Sequence, residues 1–250
     1  MPTPFYHIDL AERIIVDPGL TSLVSNHLHK YSSEFLFGNV APDYQALSQH
    51  SRTTSHFYSI NNTSSEIAYK NMLLTHTSLS NVKRMSDRHS AFVAGYLAHL
   101  LVDQQWKFEV FDPVFGQYQT WENFQERMFL HNVLRIYLDG ISYQCLPPDI
   151  CRRFSLDLSS VDWLPFASNV DLERWYNFIY EQLMDGSSPK TLEVFSSRMN
   201  RNTDDFYEIL ASQELLEEHI FSRISIEYLD EFCDDVSKKV INMLNYYFDT

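Results

Sequence analysis

Apolar residues recur at helical spacing along most of the chain, so the elements they predict are helices. His7–Val16 carries this pattern and ends at Asp17-Pro18-Gly19, a strong turn, after which Leu20–Lys30 forms a second helix. In the run FLFGNVAPDY, Gly38 and Pro42 break the period and put Asp43 on a loop directly after a proline. Ser51–Ser65, rich in Ser, Thr and Asn, reads as a surface loop carrying His56, and Glu66–Leu79 returns to helical spacing. Ser86 or Asp87 caps a long helix expected to reach about Phe111, with Pro113 closing it. Trp121–Asp139 reads as an amphipathic helix ended by Gly140, and Leu146-Pro147-Pro148-Asp149 is the clearest break in the chain. Beyond it the spacing predicts helices at Asp171–Met184, Pro189–Met199, Thr203–Ala211 and Gln213–Asn245, while Phe154–Val170 fits no single pattern.

Within this pattern Ala91–Asp103, AFVAGYLAHLLVD, is apolar on every face, which marks a buried helix. Burying an imidazole and a carboxylate without partners costs several kcal/mol. His99 and Asp103 stand at i and i+4 and project toward a common point, a geometry that suits chelation of a metal ion. A hydrogen-bonded His–Asp pair inside a helical core satisfies the same two residues, and the pair alone does not decide between them.

Composition narrows the class. A chain of 250 residues can bury a sizeable core, and 44% hydrophobic and 15% aromatic residues with six glycines favour a compact helix-rich fold. The net charge of −14 disfavours a nonspecific duplex-binding surface and strong docking on anionic membranes. Cys145, Cys151 and Cys233 form no CxxC and leave at least one unpaired, which fits a reducing compartment. The N-terminal stretch lacks the pattern of a secretory signal and no apolar run reaches spanning length, so the expected address is the cytoplasm.

Four further residues sharpen the His99–Asp103 pair: His7, Asp43, His56 and Glu109. Imidazoles with carboxylates are the ligand set expected for zinc or a similar divalent ion bound without thiolates. Taken in order, His, PD, His and GYLAHLLVD resemble the zinc-dependent phospholipase C family and its relatives, the S1/P1-type nucleases, over about the first 140 residues. The resemblance implies an all-α, multi-helix phospholipase C/P1 nuclease-like bundle with additional C-terminal helices. It implies that Asp43, His56 and His99 ligate one metal, while Asp103 bridges to a second that His7 also binds. Metal-bound water then attacks a phosphodiester, with Asp43 as ligand and as orienter or base. In that family the amine of the chain terminus also ligates the second metal; the candidates here are the Pro2 amine after removal of Met1, or the Met1 amine itself.

The third metal position departs from the family pattern. Glu109 stands where a histidine is expected, and His131 is followed at i+4 by Arg135 where an acid is expected. Glu109 and His131 are the remaining candidate metal ligands. Asp139 is a turn beyond Arg135, but i to i+8 spans about 12 Å of helix rise, too far from His131 for joint chelation. Two metals are therefore expected. Arg135 is expected to pair with Glu109, or alternatively to bind substrate phosphate through its fork of donors.

These readings point to a metal-dependent hydrolase of phosphoesters that uses metal-activated water, acting on a small phosphoester or a phospholipid, with nucleic acid disfavoured as the third option because the net charge would confine any contact to the cleft. The alternative is a catalytically altered family member that serves as a metal-stabilised binding or assembly protein. Residues 1–145 would hold the metal centre, and 146–250 would form a C-terminal helical region packed on it as one unit. The sequence sets neither the oligomeric state nor the role of those C-terminal helices.

Overall fold

The computed structural model describes residues 1–48, 50–59, 66–117, 119–159 and 161–249, and these form helices and connecting turns with no strand among them. The first helix, α1 (Pro4–Ile15), has Pro4 in its first turn, where a missing N–H costs nothing. Its orphan donors are met from a distance: Asp139 accepts from the backbone N–H groups of Phe5 at 3.0 Å and Tyr6 at 3.3 Å. After α2 (Ser22–Lys30) comes α3 (Ser32–Gly38), which leads into a 3₁₀ turn at Ala41–Ala46. Asp43 lies in that turn, a regular element where the sequence pattern predicts a loop.

His56 brings a larger correction. The stretch expected to be a surface loop contains α4 (Arg52–His56), with His56 fully buried and Phe57 closing the helix in the left-handed region at φ 58°. Residues 60–65, the rest of that expected loop, lie outside the described residues. Polar composition misleads here because the Ser and Thr side chains bond locally, Ser51 to Thr53 and Thr54, while the histidine turns inward.

Next come α5 (Ala68–Thr75) and the central α6 (Asp87–Trp106), capped by Ser86 accepting from the His89 N–H. Almost every residue of α6 from Ser90 to Asp103 is buried. Pro113 does not close it. The helix widens into a π turn at Lys107–Phe111 and continues as α7 (Asp112–Phe115), and that change of register accommodates the proline. Likewise α8 (Phe124–Cys145) begins later than expected at an Asn123 cap and runs straight through Gly140, ending at Leu146 before Pro147. Gly140 has no atom within 4 Å of where a Cβ would sit, so nothing requires a chain break there.

The remaining helices are α9 (Ile150–Phe154), α10 (Asn169–Leu183), α11 (Thr191–Met199), α12 (Thr203–Leu210), α13 (Gln213–Leu216) and α14 (Ile226–Asp249). The expected single helix over Gln213–Asn245 is divided, because a π turn at Glu217–Phe221 and the following turn separate α13 from α14.

Helix α6 is the axis of the core. Helix α3 crosses it so closely that a Cβ on Gly38 would lie 2.1 Å from the Phe92 carbonyl oxygen, and one on Gly95 would lie 2.2 Å from that of Phe35. Helices α5 and α14 also pack on α6, α8 packs on α1, and α10 packs on the 3₁₀ turn. Buried apolar side chains from Phe5 to Phe248 form one contiguous cluster that includes residues on both sides of position 145. No helix among the described residues is long and apolar enough to cross a membrane.

Candidate metal centre

The fold brings His7 from α1, Asp43 from the 3₁₀ turn, His56 from α4, and His99 and Asp103 from α6 into one buried cluster. Two donor sets share it: His7, His99 and Asp103, and Asp43, His56 and His99, each with donor atoms within 4.8 Å of one another. His7, His56 and His99 are inaccessible to solvent, whereas the Asp43 side chain keeps 21% exposure. Asp43 is thus the member of the cluster that meets the outside.

The hydrogen-bond network fixes which ring nitrogens face inward. His99 Nδ1–H donates to the Asn39 carbonyl at 2.7 Å, leaving Nε2 as the acceptor. Ser55 Oγ donates to the Arg52 carbonyl and accepts from His56 Nδ1–H at 2.8 Å, which leaves His56 Nε2 as an acceptor too. These two acceptor nitrogens face each other at 3.3 Å. Without a cation or a proton between them their lone pairs repel. His7 stacks on His99 at 4.0 Å, and both of its ring nitrogens, like Asp103 Oδ1, are buried with no hydrogen-bond partner. Unpaired buried donors and acceptors are costly, and a bound divalent ion would satisfy His7 Nε2 and Asp103 Oδ1, which lie 3.5 Å apart. The residues present therefore fit a metal, and their N/O donor chemistry fits zinc.

The electrostatics of His7 and Asp103 agree with that fit. Burial, reinforced by His99, lowers the His7 imidazole to about 4, so at neutral pH it is uncharged and able to ligate. Burial opposes a charge on His99, but the carboxylates of Asp103 and Asp43 outweigh it and raise its pKa. For Asp103 the penalty of burial is overcome by His99, His56 and His7, and its carboxyl stays well below the usual range. The Met1 amine is also held near these groups, its pKa lowered by burial and by Arg135.

A model of the zinc-dependent phospholipase C family matches residues 6–188. The chain belongs to the zinc-dependent phospholipase C family. No curated protein and no solved structure matches it. The family match runs past the first 140 residues, over which the motif resemblance extends, and crosses residue 145 into the stretch after α10.

The residues expected at a third metal position lie apart from the cluster. Glu109 sits on the π turn and pairs with Lys239 of α14 at 2.6 Å, and it is absent from both donor sets. The expected Glu109–Arg135 pair therefore does not form, because Lys239 takes the carboxylate. His131 is buried among Trp106, Phe111 and Phe115, with its Nε2 accepting from Trp106 Nε1 at 3.2 Å. That bond engages one lone pair and withdraws His131 from the cluster. Asp139 is occupied in capping α1 and in accepting from Thr191.

Sequence reading missed the supporting residues. Arg52 reaches Asp103 Oδ2 at 2.5 Å and also donates to the Tyr58 hydroxyl. Asn39 and Ser55 set the two imidazole tautomers described above. The Arg52–His56 spacing of one helical turn was the available signal, hidden by the loop-like composition around it. Beside Asp43 lies a cleft of about 450 Å³, lined in part by Arg135, Trp175, Phe178, Phe195 and Arg198.

Proposed function

We propose that the chain is a metal-dependent hydrolase of phosphoesters, a phospholipase C-like phosphodiesterase. Zinc is the favoured ion and another divalent metal is the alternative; two ions are what the family resemblance implies, and His99, common to the two donor sets, would serve one of them through Nε2. The observation that carries this reading is the facing pair of Nε2 acceptors on His56 and His99, 3.3 Å apart beside an accessible cleft. A divalent ion held there supplies positive charge toward a phosphoryl group and acidifies water near neutral pH.

The chain's own groups supply the remainder. His7, His56 and His99 would hold the ion through imidazole nitrogens, with His99 and His56 oriented by Asn39 and Ser55. His99 is common to the two donor sets, and Asp103 Oδ2 lies 3.3 Å from His56 Nε2 of the other set. Asp43 is the partly exposed carboxylate, and although burial opposes its charge, His56 and His99 keep it ionised and able to orient an incoming water, the role we assign it. The Met1 amine near Asp103 and Asp43 is a further donor candidate for the second ion. The substrate is a phospholipid or a small phosphoester, with nucleic acid disfavoured by the net charge of −14. Free Cys145, Cys151 and Cys233 support a reducing, cytoplasmic setting.

A second reading, a metal-stabilised binding or assembly protein, draws on the guanidinium of Arg52 against Asp103 and on the altered third position. Elemental analysis of the purified protein together with hydrolysis of bis(4-nitrophenyl) phosphate separates the two. The hydrolase reading expects at least one zinc per chain and turnover that His99→Ala abolishes. Turnover unchanged in His99→Ala would refute it, and bound zinc with no turnover of any phosphoester would favour the binding protein.

A further inference from the structure

The cleft beside Asp43 is lined by Arg135, Lys190 and Arg198 against the acidic Asp43 and Glu193, in a chain whose net charge is −14. Asp43 already faces His56, and Lys190 lies 3.9 Å from Glu181. Among the described residues neither Arg135 nor Arg198 has a carboxylate within 4.0 Å. Arg135 is held in place by donating to Asn132 Oδ1 at 3.0 Å and by lying over the Phe195 ring at 4.3 Å, while its buried Nε has no partner. Burial and the positive charge of the neighbouring Arg198 depress the Arg135 guanidinium to about 10, although Asp43 and Asp103 oppose the shift. Two like charges so placed repel each other, and an anion beside them relieves that repulsion while giving the fork of Arg135 a charged acceptor besides Asn132 Oδ1 and the Pro2 carbonyl.

Apolar side chains line the rest of the cleft. Trp175, Phe178, Ile179 and Val194 line the same cavity, and its volume of about 450 Å³ suits an organic ligand. Neither guanidinium is neutralised by Asp43 or Asp103 at ion-pair distance, so both charges are open to an anion that enters the cleft beside Asp43.

We propose that Arg135 and Arg198 form an anion subsite of this cleft, and that the substrate is a phosphoester with an apolar body and a second negatively charged group besides the phosphoryl group under attack. The substrate assignment rests on the hydrolase reading, whereas the anion subsite itself does not.

Two measurements separate them. In the first, phenylphosphonate, a non-hydrolysable anion with an apolar ring, is titrated calorimetrically into chelator-treated full-length protein. Arg198 is exposed, so Arg198→Gln tests the charge without disturbing the core. Affinity is expected to fall about tenfold in that variant, the loss of roughly one charge-assisted contact, and further in Arg135→Gln, with Arg135→Lys intermediate. Arg152→Gln, which removes an exposed partner of Asp149 on α9, serves as the control and should match the parent protein. In the second, kcat/KM is compared for short-chain phosphodiesters with anionic and with zwitterionic headgroups. The parent protein should favour the anionic series, and Arg198→Gln should reduce that ratio about tenfold. Equal phenylphosphonate affinity in the parent, Arg198→Gln and Arg135→Gln proteins would overturn the subsite. An unchanged headgroup ratio would overturn the substrate assignment. Arginine-dependent binding without hydrolysis of any phosphoester would uphold the subsite and refute the hydrolase reading.

Discussion

Gly95→Ala tests the packing that holds the metal centre in register. A Cβ at position 95 would lie 2.2 Å from the Phe35 carbonyl oxygen and 2.9 Å from the Asn39 backbone nitrogen. Both are backbone atoms, so no rotamer change relieves the overlap, and α3 must retreat from α6 by about 1 Å. Asn39 retreats with it. Its carbonyl is the acceptor that fixes His99 through a 2.7 Å bond, and a displacement of that size breaks the bond. The expected destabilisation is about 3 kcal/mol, at the upper end of the range for overpacking because the colliding groups cannot rotate away. For a chain of this length that lowers Tm by about 6–12 °C. Gly140→Ala is the matched control: it also replaces a helical glycine, but nothing lies within 4 Å of the added methyl. It should stabilise by about 0.5–1 kcal/mol and raise Tm by a few degrees. Calorimetry of the three proteins, with zinc content measured after dialysis, checks both the stability and the register. Equal Tm values for Gly95→Ala and the parent protein would refute the close crossing of α3 and α6, and full zinc retention in a destabilised variant would refute the link from Asn39 to His99.

Arg52→Gln removes the cation that neutralises Asp103, so the chelator-treated variant should lose about 3 kcal/mol, as expected when one partner of a buried pair is removed; added zinc should recover most of it. Identical melting of variant and parent in chelator would remove that role. Asp139→Ala strips the acceptor from the Phe5 and Tyr6 N–H groups and from Thr191, and a loss of about 2 kcal/mol in urea unfolding is expected. His131 supplies a pH test: burial, aided by the Met1 amine and Arg135, holds its pKa well below the usual imidazole value. The unfolded chain therefore binds the proton first, and stability present above pH 6.5 is lost as the pH falls below it. In chelator-treated protein, His131→Phe should flatten the stability slope between pH 6.5 and pH 5 by up to about 1.4 kcal/mol per pH unit; an unaltered slope would exclude a buried neutral His131.

Much of the candidate centre was legible in the chain because its signals are local. The i, i+4 spacing of His99 and Asp103 within an apolar run predicts a buried helix and demands polar partners for both side chains, each other or a common ion. The PD pair and the two outlying histidines matched a family pattern, and the cluster in the structure contains the same residues. Helix ends were read less well where a proline or glycine was taken as a stop. Pro113 follows a π turn and Gly140 sits inside α8, since neighbouring helices supply the packing that overrides local preference.

The sequence by itself determined an all-helical chain with a polar pair buried in its central helix, because periodicity and burial cost are properties of neighbouring residues. Only the tertiary structure decided which polar groups meet across the fold. It sent Glu109 to Lys239, His131 to Trp106, Asp139 to the start of α1 and Arg52 to Asp103. Those pairings depend on how α1, α4, α8 and α14 pack around α6, and contacts between residues tens to more than a hundred positions apart leave no periodic trace in a single chain.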